Sequence, residues 1–499
     1  MPGIAHQQIA PEPLPPSTLS VEQPGAPLRL SPGHLARRDG WGMAVSCIAH
    51  VYQPRNVAEI NAVFELARST EKKVCLRGGG NSYGDAAILQ DGIILDLCRM
   101  NRILSWDADT GIMDCEPGTT LEQIWKCIIP DGWWPPVVSG TMFTTVGGCA
   151  AMNIHGKNNY CAGPFGEHIL EFDFVTPGGD LLTASPDLNP ELFYGAISGA
   201  GLLGVFTRVR MRMKRIHSGL LRVEAFNTHS FEDMAAQIEA RAESCDYLVG
   251  WVDCTARGRK LGRGIVHAAK YLRPGQDSRP RDTMTVAAQE LPSKLFGVVP
   301  KALLHHFMGP FVNNVGVRMI NAAKFHSARL HPQSSIYYQS HGAFAFLLDY
   351  VPGWKLAYKP VGLIQYQPFV PREKAVAVFN DIVRTSQKAG LPPYLGVFKK
   401  HRPDNFLLSH AVDGYSLALD YRVTPQNRER LWDLAQRLDD IVLAAGGRFY
   451  FAKDATLSPG ATQQFLGDER LAQLRAMKRR FDPDNRLQSD LSRRLFPGL

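Results

Sequence analysis

The stretch Arg77-Gly-Gly-Gly-Asn-Ser-Tyr-Gly-Asp85 constrains this chain more than any other. Six of its nine residues are Gly, Ser or Asn, and it follows the apolar run Lys73-Val-Cys-Leu76, which reads as a strand. Glycine reaches positive φ and lets backbone approach a ligand closely. Successive N–H groups in such a turn form a concave anion site, and phosphate is its natural guest. An ordinary tight turn has the same composition, so this stretch alone leaves both readings open.

Two more glycine clusters narrow the choice. Gly140-Thr-Met-Phe-Thr-Thr-Val-Gly-Gly148 is followed by Asn153-Ile-His-Gly-Lys-Asn158. Ser198-Gly-Ala-Gly-Leu-Leu-Gly204 leads into Val205 to Met213, where Val205, Thr207, Val209, Met211 and Met213 alternate with Phe206, Arg208, Arg210 and Arg212. Period two predicts a half-buried strand. Three glycine turns, each tied to a strand, carry a large entropic cost if they hold nothing. Together they point to an extended ligand lying along backbone, such as a dinucleotide. The Rossmann arrangement is absent: Gly199, Gly201 and Gly204 match its letters but enter a strand, not a helix. No G-x-x-x-x-G-K-[ST] supports nucleotide hydrolysis.

Composition sets outer limits. A chain of 499 residues, 45% hydrophobic and 20% charged, fits a globular protein of two or three domains. No uncharged apolar run approaches transmembrane length, and the N-terminus lacks the basic and apolar regions of an ordinary signal peptide. The expected location is cytoplasmic or membrane-associated, the periplasmic face included. Residues 1–27, rich in Pro, Gln and Ser, are expected to form a disordered lead. The nine cysteines are odd in number and form no C-x-x-C, so reduced thiols are expected and no metal site. A net charge of +8 suits nucleic acid, an anionic membrane or an anionic substrate, or serves solubility alone. No nucleic-acid-binding motif is present, so no nucleic acid partner is expected. The basic region 256–335, with its Phe and Leu residues, is a candidate lipid-headgroup contact or a solvated mobile loop.

Apolar spacing predicts a helix from Asn56 to Thr70, strands at Val74–Leu76 and Ile93–Leu97, and a helix from Leu121 to Ile129. This β-α-β rhythm indicates an α+β nucleotide-binding domain to about residue 216. From 217, strands such as Leu220–Glu224 and Tyr415–Tyr421 alternate with helices such as Arg372–Lys388, indicating a second domain. Residues 271–310, with Pro274, Pro280, Pro292 and Pro300 among them, read as an irregular lid or a lipid-facing excursion. Arg448–Asp454 precedes a helix from Asp468 to Phe481.

Several motifs in fixed order carry a resemblance. They are Gly40-Trp-Gly42, Asn81-Ser-Tyr-Gly-Asp85, Ile154-His-Gly-Lys-Asn158, Gln365-Tyr-Gln367, Val397-Phe-Lys399, Ala452-Lys-Asp454 and Ser489-Asp-Leu-Ser-Arg-Arg-Leu495. With them the chain resembles the vanillyl-alcohol-oxidase-like flavoproteins, which have a PCMH-type FAD domain, and within these the decaprenylphosphoryl-ribose oxidase-like branch. Only the N-terminal lead and region 256–335 fit poorly. The resemblance implies an α+β fold with a discontinuous FAD-binding domain, 28–216 closed by 448–499. Between them it implies a substrate domain, 217–447, with a sheet over the flavin and a mobile loop region at about 256–335.

The resemblance also assigns roles. It implies noncovalent FAD held by Arg77, Gly78, Gly79, Gly80, Asn81, Ser82 and Tyr83, and by Gly140, Thr145, Val146, Gly147 and Gly148. Met152, Asn153, Ile154, His155, Gly204, Val205 and Tyr450 complete that site. Gln365, Gln367, Lys399, Asp420 and Trp251 are implied for substrate. Two positions depart from the family. Asn81 stands where many members attach FAD covalently through histidine. Ala418 stands where the best-known members carry a cysteine in the substrate wall.

In alcohol oxidation of this kind the flavin does the hard chemistry and protein supplies geometry and charge. Lys453 is the first catalytic candidate, as a stabiliser of negative charge or as a base with a shifted pKa; the alternative is a surface lysine paired with Asp454. Lys399, in the basic run Phe398-Lys-Lys-His-Arg402, is the second, for substrate phosphate and hydroxyls; the alternative is a solvated charge run. Paired amides at Gln365 and Gln367 suit sugar hydroxyls, or an edge-strand ladder. His155 is a flavin-pocket residue or a satisfied core histidine.

The expected activity is FAD-dependent oxidation of a secondary sugar hydroxyl, the 2′-OH of a polyprenyl-phosphoryl pentose, to a keto sugar. A separate NAD-dependent reductase would complete an epimerisation in cell-wall arabinan synthesis. The alternatives are a soluble sugar-alcohol or aldonolactone oxidase of the same superfamily and, in another class, a non-catalytic flavin-fold binding partner.

Overall fold

The computed structural model describes residues 29–292, 294–295, 299–301, 305, 308–327 and 335–499. The expected disordered lead, 1–27, lies outside the described residues, as do parts of region 256–335.

The helix Val57–Ser69 forms where the apolar spacing predicts it, and Asn56 caps it by accepting from the Glu59 amide. Its buried face, Ile60, Val63, Phe64 and Ala67, packs on Val74, Ile93 and Leu95 of a four-stranded sheet. In that sheet Val74–Arg77 and Ser46–Tyr52 flank Ile93–Asp96 in parallel. A five-stranded antiparallel sheet follows, with Val205–Arg212 at its centre between Ile112–Cys115 and Ile169–Val175. Its Arg208 reaches Asp114, Glu171 and Asp173 on the neighbouring strands. Phe206 is buried although it shares a face with Arg208, Arg210 and Arg212, because it packs edge-on against Phe172 and Phe174.

Beyond residue 216 a nine-stranded sheet dominates, and all of its pairings are antiparallel. The helices Phe231–Glu239 and Arg372–Lys388 cover one face, where Phe231 and Phe379 meet Phe398. Alternation along Leu395–His401 therefore turns Val397 and Lys399 to the other face.

Three details differ from expectation. The second glycine cluster is not tied to a strand; it opens the short helix Val146–Ala151, whose Gly147 packs where a Cβ would lie 2.8 Å from the Pro117 side chain. Region 256–335 is more regular than a loop. Gly264–Tyr271 is an interior strand paired on both sides, and Asn314–Ser327 is a helix. The C-terminal segment begins as a strand of the large sheet, Arg448–Phe449 on Pro368–Pro371. It then reaches the first sheet, where the amides of Val74 and Gln488 bond to the carbonyls of Arg486 and Val74. Among the described residues no helix is long and apolar enough to cross a membrane.

Candidate active site

The first two glycine runs are pressed together. A Cβ on Gly78 would lie 2.1 Å from Thr145 Oγ1, and one on Gly79 would lie 2.5 Å from the Phe143 carbonyl. Gly80 has φ of +64°, which side-chain-bearing residues rarely adopt. Asn81 Nδ2 ties the runs together by donating to the Gly79 and Phe143 carbonyls at 3.2 and 3.0 Å. Among the described residues, the consecutive amides from Gly79 to Ser82 have no protein acceptor. They border a cavity of about 520 Å³, within the roughly 300–1000 Å³ usual for ligand pockets.

The large sheet forms the opposite wall. Trp251, Val397 and Ala418 are register partners across three neighbouring strands, and Lys399 follows on the same face. Gln365 and Gln367 also line the cavity, and both are buried. Gln365 Nε2 donates to Asp420 at 2.6 Å, while Gln367 Nε2 lies 3.1 Å from His155 Nε2 and 3.3 Å from Ser416 Oγ. These contacts place the two amides in the wall, not in an edge ladder.

Lys453 enters from the turn after Arg448–Phe449. Its Nζ lies 3.7 Å from the centroid of the Tyr83 ring. The turn docks on the first glycine run through Tyr83 N to Ala452 O at 2.8 Å, and Gly84 is pressed against the Asp454 carbonyl. Asp454 does not pair with Lys453: it accepts from Arg494 at 2.8 Å and from the Thr456 and Leu457 amides. The surface-pair alternative is thereby excluded. Burial, then repulsion from Lys399, lowers Lys453 to about 7, opposed by Asp420. Burial lowers Lys399 to about 8.

The basic run 399–402 is not a single cluster, because strand alternation divides it. Lys399 faces the cavity, Lys400 pairs with Glu239, and Arg402 pairs with Glu167. His401 is buried, bonded to Asn159 and Ser416. His155 lies among His401, His410, Phe369 and Tyr450, and burial with Lys399 nearby holds it well below its ordinary value. It is a neutral ring on the cavity wall.

Of the cofactor residues expected, Arg77 to Tyr83, Gly140, Thr145, Gly147, Gly148, Met152, Ile154, His155 and Tyr450 line the cavity. Four do not. Val146 is fully buried, with its amide on the Thr119 carbonyl. Asn153 turns inward at φ +44° to accept from the Gly166 amide. Gly204 abuts the Phe174 ring, and Val205 packs in the core of the first sheet. Among the substrate residues Asp420 is the exception, since it sits behind Gln365 and reaches the cavity only through that amide.

The cavity also has members that sequence reasoning did not assign. Trp41 packs on Tyr83 with ring centroids 4.4 Å apart. Lys157 donates to the Phe344 and Ala345 carbonyls. Behind the lining, Asp349 grips the second glycine run, accepting from Thr141 Oγ1 and the Met142 amide at 2.7 Å each. Lys324 arrives on the helix Asn314–Ser327. Trp41 and Lys157 stand inside quoted motifs; nothing local marks Asp349 or Lys324. The lining contains Arg77, Lys157, Lys324, Lys399 and Lys453, and among the described residues no Asp or Glu.

Comparison with known proteins agrees with this geometry. Residues 48–185 match the FAD binding domain family. Over 467 residues the chain is 30% identical to decaprenylphosphoryl-beta-D-ribose oxidase of Mycolicibacterium smegmatis, covering 91% of this chain and 96% of that protein. The chain belongs to the decaprenylphosphoryl-ribose oxidase-like family of FAD oxidoreductases. Shorter matches tie this family to cytokinin dehydrogenase 2 of Arabidopsis thaliana, 28% identical over 46% of this chain and 45% of that one. L-gulonolactone oxidase of Bos taurus is 28% identical over 34% of this chain and 39% of its own. The protein is therefore an FAD-dependent oxidoreductase with a PCMH-type FAD domain in an α+β fold.

The residues present fit that cofactor. Four unpaired amides in a row suit a pyrophosphate. Thr145 Oγ1, His155 Nδ1 and Tyr450 OH are buried without protein partners at the same cavity, and the polar edges of a flavin would satisfy them.

Proposed function

We propose that this oxidase acts on a secondary hydroxyl of a phosphorylated sugar, the 2′-OH of a polyprenyl-phosphoryl pentose, giving a keto sugar. The observation that carries this reading is the lining of five cations and no carboxylate among the described residues, beside two amides. Arg77 and Lys157 spend their hydrogen bonds on backbone carbonyls, which leaves Lys324, Lys399 and Lys453 to meet an anionic, hydroxyl-bearing guest. FAD supplies the two-electron acceptor when bound. Gln365 and Gln367 orient sugar hydroxyls from the sheet. Lys453, lowered to about 7, takes the hydroxyl proton at Nζ and so places a positive charge beside Tyr83. Val397, Ala418 and Trp251 form the floor that excludes water.

On this reading residues 28–216 and 448–499 are the two parts of the FAD domain and 217–447 the substrate domain. Oxidation would be the first half of an epimerisation, finished by a separate NAD-dependent reductase, in cell-wall arabinan synthesis. Anaerobic bleaching of the flavin by polyprenyl-phosphoryl pentoses, and not by free sugars or aldonolactones, is the expected result. Bleaching by a free sugar or lactone alone would replace it with the soluble-oxidase reading.

Two further outcomes are expected. FAD should be noncovalent, because Asn81 occupies the place of an attachment histidine and His155 is engaged with Gln367. Acid precipitation should leave the flavin in the supernatant; colour in the pellet would point to a covalent bond. Membrane contact should be peripheral and salt-sensitive, through the basic region 256–335. Flotation with anionic liposomes at low but not high salt tests it, and absence of binding at low salt removes this contact.

A further inference from the structure

The rim of the cavity comes from a stretch of unusual charge. From Leu291 to Leu348 there is no Asp or Glu, although the chain average would place about five there, and Lys294, Lys301, Arg318, Lys324 and Arg329 all lie within it. Of the described residues among these five, Lys324 alone lines the cavity. Its helix, Asn314–Ser327, is pinned at both ends. Asn314 donates to the Gly390 carbonyl at 3.2 Å and accepts from Tyr394 OH at 2.9 Å. Phe325, the residue after Lys324, is buried against Trp251 and Ile265, and Asn227 Nδ2 donates to its carbonyl.

Lys324 Nζ stands 4.4 Å from the centroid of the Trp251 ring, above the floor that Trp251 shares with Val397 and Ala418. The residue as a whole is exposed while its amine is drawn in over Trp251, where burial lowers it to about 8, and among the described residues no acidic group pairs with it. Arg77 and Lys157, by contrast, are occupied by carbonyls. A cation without a counter-charge, set at the entrance of a cavity already cationic at its base, repels its neighbours until an anion arrives. Because Lys324 lies at the rim and Lys453 against Tyr83, that anion sits outward of the reacting hydroxyl.

We propose that Lys324 binds the phosphate ester of the substrate at the cavity mouth, over Trp251. The proposal rests on the reading of the cavity as a site for a phosphorylated sugar. It adds a group that lies outside the motifs carrying the family resemblance.

The test uses FAD-loaded oxidised enzyme and the shift of the flavin spectrum on titration. The probes are farnesyl-phosphoryl-β-D-ribose and farnesyl β-D-riboside, which differ only in the phosphate. Lys324→Ala is expected to weaken the phosphodiester about tenfold or more, the worth of one charge-assisted hydrogen bond. It should leave the neutral riboside and the flavin content unchanged, and Lys324→Arg should recover most of the loss. Equal weakening of both probes, or of neither, overturns the proposal. Farnesyl phosphate, which has no sugar, separates this failure from failure of the pentose reading: it should still bind through Lys324 if the sugar is another one. Inorganic phosphate competing as well as farnesyl phosphate would overturn the assignment to an ester. So would a Lys324→Ala defect confined to liposome flotation, which would make the residue a membrane contact.

Discussion

Lys453→Ala is expected to keep its FAD and to lose flavin reduction by substrate, by about two orders of magnitude or more, the usual worth of a positioned acid–base or charge-stabilising group. The cofactor stays because the glycine runs and not this side chain hold it, through the unpaired Gly79 to Ser82 amides that line the cavity. Single-turnover anaerobic reduction, with flavin content measured beside it, separates the two effects. The pH profile adds a sign. With Lys453 lowered to about 7, the neutral amine that accepts the hydroxyl proton becomes the major form as pH rises through that value. The wild-type rate should therefore climb with pH through this region, and that limb should vanish in the alanine variant. Lys399→Ala should instead raise KM, with a smaller effect on the reductive step. Wild-type reduction by Lys453→Ala would remove this residue from the chemistry.

Arg494→Gln is expected to be among the most damaging single changes to stability. Arg494 bonds Asp85 through two nitrogens at 2.9 and 2.8 Å, Asp454 at 2.8 Å and the Leu457 carbonyl at 2.6 Å. The two carboxylates are 11% and 9% exposed, so removing the guanidinium strands both. Breaking a buried pair in this way costs about 3–5 kcal/mol. The same change removes one tie between the first glycine run, which ends at Asp85, and the turn that carries Lys453, leaving the Tyr83 N to Ala452 O bond. A fall in the denaturation midpoint together with weaker FAD retention is the expected outcome. A variant with wild-type stability would mean that Asp85 and Asp454 find other partners. Lysine is not an equivalent replacement, since one ammonium cannot reproduce the fork that reaches both acids and a carbonyl.

The glycine runs, the strand before the first and the helix Val57–Ser69 were all legible because their causes are local. Positive φ at Gly80 and Gly201, close approach at Gly78 and helical apolar spacing are written in consecutive residues. The lysines of the Val397-Phe-Lys399 and Ala452-Lys-Asp454 motifs were marked by the family resemblance those motifs carry, since local composition alone left a surface lysine and a solvated charge run open. The division of the 399–402 run needed only strand alternation, but which face met the cavity depended on the helices that cover Phe398.

Other members could not be read locally. Val146, Asn153, Gly204 and Val205 sit beside true cavity residues in sequence, yet each turns to a core contact or to a backbone amide. Asp349 reaches a loop 207 residues earlier, Lys324 stands over Trp251, and Arg494 clasps Asp85 from 409 residues away. The sequence by itself pointed to a chain that holds an extended dinucleotide and, through its family motifs, to two candidate lysines, since backbone conformation and motif spacing are short-range properties. Only the tertiary structure decided that those lysines share one cavity without a carboxylate among its described residues, because charge and burial depend on what residues far apart in the chain bring to the same place.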